Sequence, residues 1–382
     1  MNILIVHNFY KIPGGEDTVV KNEIKLLKMH GHNVYTYFKD NKDISTNGIF
    51  NKIKLFKNTI FNKSIKKEIQ TIIKENKIDV VHCHNTFPLI SPSIYKYAKQ
   101  MGCKVFQTIH NFRFLCASAE LYKDKTICEE CLNKNIKCAL KHKCYHNSFS
   151  QTLSWYKLQK NFRKKKLYNY VDKFICLTEF NSIKLSHIIP KEKIAIKPNF
   201  AFIDSKISKK SSEQFLYLGR IEEIKGIDTL INVFSKDGMP KLVLCGKGND
   251  LEKYKACVKT DNILFKGFCN KEQMVEELEK STAIIVPSKW YEPFSMVLVE
   301  GMHAGISVIA RNIGSLPYNV LDNVNGLLFN TEDELSDIVK NLYNDKTLQD
   351  KLSIGAYNYA KEKLSAEVNY QKLMSIYCEG DD

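Results

Sequence analysis

Apolar residues in this chain fall into short runs, and the stretches between them carry apolar positions three and four apart, so strands and helices alternate. Residues 2–6 read as a buried strand. GGEDTVVKNEIKLLKMHG reads as a helix that ends near Gly31, and residues 32–37 read as a second strand. Residues 79–84 (DVVHCH), 104–110 (KVFQTIH) and 173–178 (KFICLT) continue the series. Such a rhythm predicts a parallel sheet with helices on both faces. His7, His84 and His110 each stand at or just past the end of one of these strands. Ligands of open parallel sheets sit beyond the strands' carboxyl ends, so these side chains are expected to line one crevice.

The rhythm breaks at 197–212, where KPNFAFIDSKISKKSS brings Pro198 and a polar run. A second series follows: the strand QFLYLG, a helix from about Gly226, the strands KLVLCG and NILFKG, the helix EQMVEELEK, the strand AIIVPS and a helix after Pro293. A chain of 382 residues exceeds one comfortable core, which fits two parallel α/β domains, 1–198 and 199–355. The terminal stretch 356–382 reads as helices that brace both domains. No repeat of 20 to 50 residues points to a solenoid.

Composition excludes a membrane span: mean hydropathy is −0.29 and no apolar run reaches the ~18 residues a span requires. The opening MNILIVHNFY lacks a basic segment and a small-residue cleavage site, so it reads as a strand and the expected location is the cytoplasm. The net charge of +15 is unevenly spread. Residues 1–200 hold 35 Lys and Arg against 15 Asp and Glu, and the remainder 22 against 27. Basic clusters at 52–77 and 163–166 would suit amphipathic helices on an anionic membrane surface, at the inner face of the plasma membrane; solvated basic faces are the alternative. Nucleic acid is not an expected partner, because no RNA-binding or helix-turn-helix pattern accompanies the charge.

The most specific chemistry lies in EPFSMVLVEGMHAG. Glu292 and Glu300 are eight residues apart, and Pro293 suits the first turn of a helix whose free N–H groups, at Phe294, Ser295 and Met296, would hold a diphosphate. Along a helix the pair would be separated by about 12 Å, enough for one carboxylate to hold a sugar and the other a ribose. In LGRIEEIKGIDTL, Arg220 and Lys225 follow a strand and supply cations for a pyrophosphate. Gly14 and Gly15 in IPGGEDTVV would let the backbone approach a phosphate or sugar, but the dinucleotide fingerprint is absent.

Together with DVVHCHNTFPLISP, TIHNFRFLC, LTEFN and KPN, these motifs resemble the family 4 retaining glycosyltransferases through nearly the whole chain, and in particular bacterial members that build exopolysaccharide or capsule. The resemblance implies the GT-B fold, two Rossmann-like parallel α/β domains facing each other across a cleft. It implies catalytic roles for Glu292, at the donor sugar, and His110, near the sugar and leaving group. It also implies that Glu300 holds the ribose, that Arg220 and Lys225 hold the diphosphate, and that Gly15 lies near the donor phosphate or the acceptor. Ser295 stands where many members have glycine, and Tyr318 where an acidic residue often follows the proline. No D-x-D motif is present, so metal-independent catalysis is expected. Retention could come from a covalent double displacement or from front-face attack, and the resemblance implies the latter, with the departing phosphate helping to deprotonate the acceptor.

Cys116, Cys128, Cys131 and Cys144, with Cys138, His142 and His146 nearby, fit a structural zinc site in an insertion at about 113–147; a redox pair or packed thiols are the alternatives. His82 and His84 are better explained as one face of a strand end than as a second metal site. The expected function is transfer of a sugar from a nucleotide-sugar donor to a polyprenyl-diphosphate-linked or saccharide acceptor in surface polysaccharide biosynthesis. The rivals are a nucleotide-sugar epimerase or hydrolase on the same scaffold, and a basic zinc-dependent interaction module.

Overall fold

Alternation within the first strand shows how the sheet is covered. In the computed structural model, which describes residues 1–11, 14–44, 48–202 and 213–379, Leu4 and Val6 of β1 (Asn2–Phe9) pack on one face with Ile94, Tyr95 and Phe174. Ile3 and Ile5 pack on the other with Val20, Leu27 and Leu373. Both faces are apolar because helices cover both.

The strands β2 (Asn33–Asp40), β3 (Val80–Asn85) and β4 (Lys104–Ile109) follow, then a small hairpin of β5 (Tyr122–Lys123) and β6 (Thr126–Ile127), then β7 (Lys173–Cys176) and β8 (Ile194–Ile196). The first sheet is parallel with the order β2-β1-β3-β4-β7-β8, so the direction of winding reverses between β1 and β3. Register slips there: Val6 pairs with Cys83 but His7 with Asn85, which leaves His84 as the extra residue of a bulge. Bulges re-aim side chains, and this one lies at a strand's carboxyl end.

A second parallel sheet contains β9 (Gln214–Leu218), β10 (Lys241–Cys245), β11 (Ile263–Gly267), β12 (Ser281–Val286), β13 (Ser307–Arg311) and β14 (Gly326–Phe329). Its order is β11-β10-β9-β12-β13-β14, with the reversal between β9 and β12. Apolar clusters again flank both faces. Several helices start on side-chain caps, among them Lys271–Glu279, where Asn270 accepts the Gln273 N–H and Gln273 accepts the Asn270 N–H in return.

The chain divides into two compact units, one of Met1–Leu121, Cys128–Pro198 and Asn369–Asp382, the other of Tyr122–Ile127 and Asn199–Val368. Residues 203–212 of the polar run read as the connection lie outside the described residues, as does Pro13 of IPGGED. The structure differs from the sequence reading at residue 355, which falls inside the helix Lys346–Lys363. Gly355 there serves close packing: a Cβ on it would lie 1.9 Å from the Val324 carbonyl oxygen. Ala356 and Ala360 of this helix pack on the second sheet, whereas Leu373, Ile376 and Tyr377 of the helix Ala366–Cys378 pack on the first. No helix among the described residues is long and apolar enough to cross a membrane.

Candidate active site

Each unit presents its polar groups where its strand order reverses, the place at which open α/β sheets bind ligands. In the first unit the loop after β1 leads into the helix Gly15–Met29, which Gly15 opens as an exposed residue. Asp17 in its first turn is used twice. One oxygen accepts the Gly14 N–H at 3.0 Å, and the other lies 2.8 Å from Nε2 of the fully buried His7. Glu16 accepts from the Tyr10 hydroxyl at 3.1 Å and from Asn111 Nδ2 at 3.2 Å, and burial raises its pKa against the pull of His7.

His110 follows β4, and its Nε2 lies 2.8 Å from Nδ1 of His84. Burial, reinforced by His84 and His7, holds the His110 pKa well below the ordinary imidazole value, so the ring is neutral near pH 7. Both histidines line a cavity within this unit, together with Phe87, Asn111, Arg113 and Gln159. The three histidines expected to share a crevice are thus neighbours, with the His7 and His84 ring centroids 6.4 Å apart.

In the second unit, Lys225 ends the turn Glu223–Lys225 after β9, and its Nζ lies 2.5 Å from Oε1 of Glu292. Gly226, at φ +78°, makes this approach possible: a Cβ would sit 2.1 Å from the carbonyl oxygen of Pro287, just beyond β12. The Ser288 hydroxyl also donates to Glu292 Oε1, and the Ser315 hydroxyl donates to the Glu292 carbonyl oxygen. Burial would raise the Glu292 pKa, but the Lys225 ammonium and the Ser288 hydroxyl outweigh it, and the carboxyl is held below its usual range. Nζ of Lys225 also stands 5.1 Å from the centre of the Trp290 ring.

The helix after this loop begins later than expected, at Met296, with Ser295 as its N-cap. Pro293 is therefore outside the first turn. It disfavours helical backbone at Glu292, whose carbonyl is in any case taken by Ser315. The N–H groups left free by the helix are those of Met296, Val297 and Leu298, with no side-chain cap from Ser295, whereas Phe294 precedes it and packs on an apolar cluster. The ~12 Å helical rise between the two glutamates consequently does not apply along its full length. Glu300 lies on this helix, and burial pushes its pKa up to about 7 against the weaker pull of Lys271. The Arg220 side chain, 59% exposed, donates to Glu222 at 3.0 Å instead of joining Lys225 and Glu292.

None of the cysteines forms a disulfide. Burial, then Cys116, Cys144 and Cys138, push the Cys131 thiol up to about 12. The Cys128 N–H is tied to Leu121 O beside the hairpin, and Cys131 lies on the short helix Glu130–Asn133. A tetrahedral zinc needs sulfurs about 3.8 Å apart, and no three of the thiols lie within 4.8 Å of one another. Among the described residues, only Glu23, His82 and His84 bring three ligating atoms within 4.8 Å of one another. Arg163 of the second basic run turns inward near Cys131, its Nε and Nη2 buried without a hydrogen-bond partner.

Sequence reasoning missed Glu23, Lys197 and Ser315. Glu23 looks like any surface acid of an amphipathic helix, and Lys197 showed itself only as part of KPN. No local spacing signals that the two meet.

Comparison with known proteins follows the same division. The model described as "Glycosyltransferase Family 4" matches residues 13–201, and that described as "Glycosyl transferases group 1" matches residues 199–359. A 41.2 kDa protein from the cps region of Klebsiella pneumoniae is 25% identical over 340 residues, 86% of each chain. Among solved structures, sucrose-phosphate synthase from Thermosynechococcus elongatus aligns with a TM-score of 0.69 at 15% identity, over 98% of each chain. Anabaena HepE, solved in complex with UDP, aligns with a TM-score of 0.66 at 14% identity, over 98% of this chain and 99% of its own.

Proposed function

The chain belongs to the family 4 glycosyltransferases, with the two-domain α/β fold of GT-B enzymes, and from that premise we propose that it moves a sugar from a UDP-sugar to a lipid-linked or saccharide acceptor, with retention of configuration, in surface polysaccharide assembly. UDP is the nucleotide bound by the similar Anabaena protein, and polysaccharide assembly is suggested by the cps-region relative. The observation that carries the reading is the Lys225–Glu292 pair at the strand reversal of the second unit, with Glu292 buried and Lys225 partly so. An ion pair largely withdrawn from water is costly to maintain without use, and it sets an ammonium and a carboxylate where a diphosphate and a sugar would bind.

In this reading Lys225, with Arg220 swung from Glu222, neutralises the diphosphate beside the N–H groups of Met296, Val297 and Leu298. Glu300 accepts the ribose hydroxyls. Glu292 orients the donor sugar, and His110 of the first unit offers an acceptor for a sugar hydroxyl. The acceptor oxygen bonds to the anomeric carbon on the face from which the phosphate leaves, the C–O bond to phosphate breaks, and the acceptor's proton passes to the departing phosphate oxygen. Incubation with UDP-sugars and candidate polyprenyl-diphosphate or saccharide acceptors tests this, and Glu292→Ala and Arg220→Ala should each abolish transfer in a folded protein. Full activity in either variant refutes the donor-site assignment.

The helix Ile49–Ile60 exposes Phe50 by 84% and Ile49 by 69% beside exposed Lys52, Lys54 and Lys57, which supports peripheral binding to anionic lipid on the cytoplasmic side. The thiols that act on Cys131, with the unpaired nitrogens of Arg163 near it, support a structural zinc drawn from Cys116, Cys128, Cys131, Cys138 and Cys144. A zinc tetrathiolate is anionic, so it would give that guanidinium a partner.

A further inference from the structure

Beneath His110 lies a chain of polar groups that donor binding does not explain. Glu23 is fully buried on the inner face of the helix Gly15–Met29. Its Oε2 accepts from Lys197 Nζ at 3.0 Å, and Lys197, only 1% exposed, also donates to Asn369 Oδ1 at 3.0 Å. Its Oε1 lies 2.9 Å from His82 Nδ1 and 3.1 Å from His84 Nε2. His82 has other partners at both nitrogens, the Tyr377 hydroxyl at 2.6 Å and the Thr108 hydroxyl at 2.7 Å. Glu23 Oε1 and His84 Nε2 stand 3.1 Å apart, and neither forms an aligned hydrogen bond with the other or elsewhere. His84 is the bulge residue of β3, and its other nitrogen meets His110.

Three ligating atoms this close invite a metal ion. The Lys197 ammonium already supplies the positive charge at Glu23, and a second cation beside it would be repelled. A proton chain accounts for the same atoms without that conflict.

We propose that Glu23, His84 and His110 form a buried relay that fixes His110 as the Nε2–H tautomer and leaves Nδ1 as the unprotonated nitrogen, an acceptor for a hydroxyl of the bound sugar. Lys197 keeps Glu23 ionised although burial opposes it, so Glu23 can only accept, and a carboxylate oxygen 3.1 Å from His84 Nε2 favours the proton on that nitrogen over a lone pair facing the negative charge. Burial holds His84 neutral, down to about 4 against the pull of Glu23, which leaves a lone pair on Nδ1. The 2.8 Å contact with His110 Nε2 then requires that nitrogen to donate, and a neutral His110 keeps its lone pair on Nδ1. That atom has no protein partner among the described residues and is not among the buried atoms left unpaired, and His110 lines the cavity. Glu23 and His84 are positioning residues. The tautomer stands on the structure alone; the sugar hydroxyl as its use rests on the glycosyltransferase reading.

The test is the nitrogen spectrum of ¹⁵N-histidine-labelled full-length protein near pH 7.5, with signals assigned by His84→Gln and His110→Gln. The expected result is a protonated Nε2 and a bare Nδ1 for both rings. A His110 protonated on Nδ1, or on both nitrogens, overturns the proposal. In Glu23→Gln, Lys197 should hold the amide oxygen and turn the NH2 group toward His84, which inverts both tautomers. Turnover with a UDP-sugar should then fall about 100-fold or more while binding of UDP alone is unchanged. Unchanged tautomers in a folded Glu23→Gln protein also overturn the relay, and if that variant does not fold the wild-type spectrum decides. Expected tautomers without transfer from any donor would remove the glycosyltransferase reading and leave the relay standing. Transfer by a protein whose His110 carries Nδ1–H would do the reverse.

Discussion

Glu300→Gln isolates the one carboxyl group of the candidate donor site whose ionisation falls within the working pH range. Burial raises the Glu300 pKa to about 7, so at pH 6 roughly a tenth of the free protein carries the carboxylate and at pH 8 roughly nine-tenths. If only the ionised form accepts both ribose hydroxyls, affinity for a UDP-sugar should rise about tenfold from pH 6 to pH 8, or ~1.4 kcal/mol. A UDP-sugar is the right probe, since its phosphates are diesters and do not titrate near pH 6 as the terminal phosphate of UDP does. Calorimetric titration at pH 6, 7 and 8 should show the rise in the parent protein, and the slope should vanish in Glu300→Gln. The linkage runs oppositely for stability. The native state keeps a proton that the unfolded chain releases near pH 4.5, so the group stabilises the fold most at low pH and loses that contribution as pH rises through about 7. The shift corresponds to at most ~3 kcal/mol. Affinity independent of pH, or an equal slope in the glutamine variant, refutes the assignment of Glu300 to the ribose.

Gly226→Ala should cost at least ~3 kcal/mol in a denaturant titration, because it forces both a left-handed backbone and a Cβ 2.1 Å from Pro287 O; a loss under about 1 kcal/mol would mean that the two loops are not held together. Replacement of Ile49, Phe50 and Ile53 by serine should weaken sedimentation with vesicles rich in anionic lipid, as should added salt. Equal binding to neutral vesicles contradicts the proposed membrane face. Protein purified without chelator should contain about one equivalent of zinc, lost in Cys131→Ser; zinc well below one equivalent removes the metal reading.

The strands of the second unit were legible because each buried run is bounded by glycine or polar residues: QFLYLG and KLVLCG correspond to β9 and β10 almost residue for residue. Lys225 and Glu292 were legible as candidates and meet in the structure, since each sits beside a glycine or proline that marks a loop at a strand end. The helix start at Met296 was not, because Pro293 is equally acceptable inside a first turn and in the extended segment before it. Short β8 and β14 lacked enough residues to establish a period. The Glu23–Lys197 pair joins residues 174 apart, and only tertiary packing brings them together.

The helix Ala366–Cys378 contributes Asn369 to Lys197 and Tyr377 to His82, and all four side chains are buried. During synthesis, β1, the helix of Glu23 and β3 therefore emerge long before the groups that complete their polar core, with the whole second unit made in between. Until residue 377 leaves the ribosome, Lys197 and His82 lack partners that they hold in the finished protein. The unit begun first is thus the last to be completed, and a nascent chain stalled before residue 369 would expose its unfinished first sheet to chaperones and proteases.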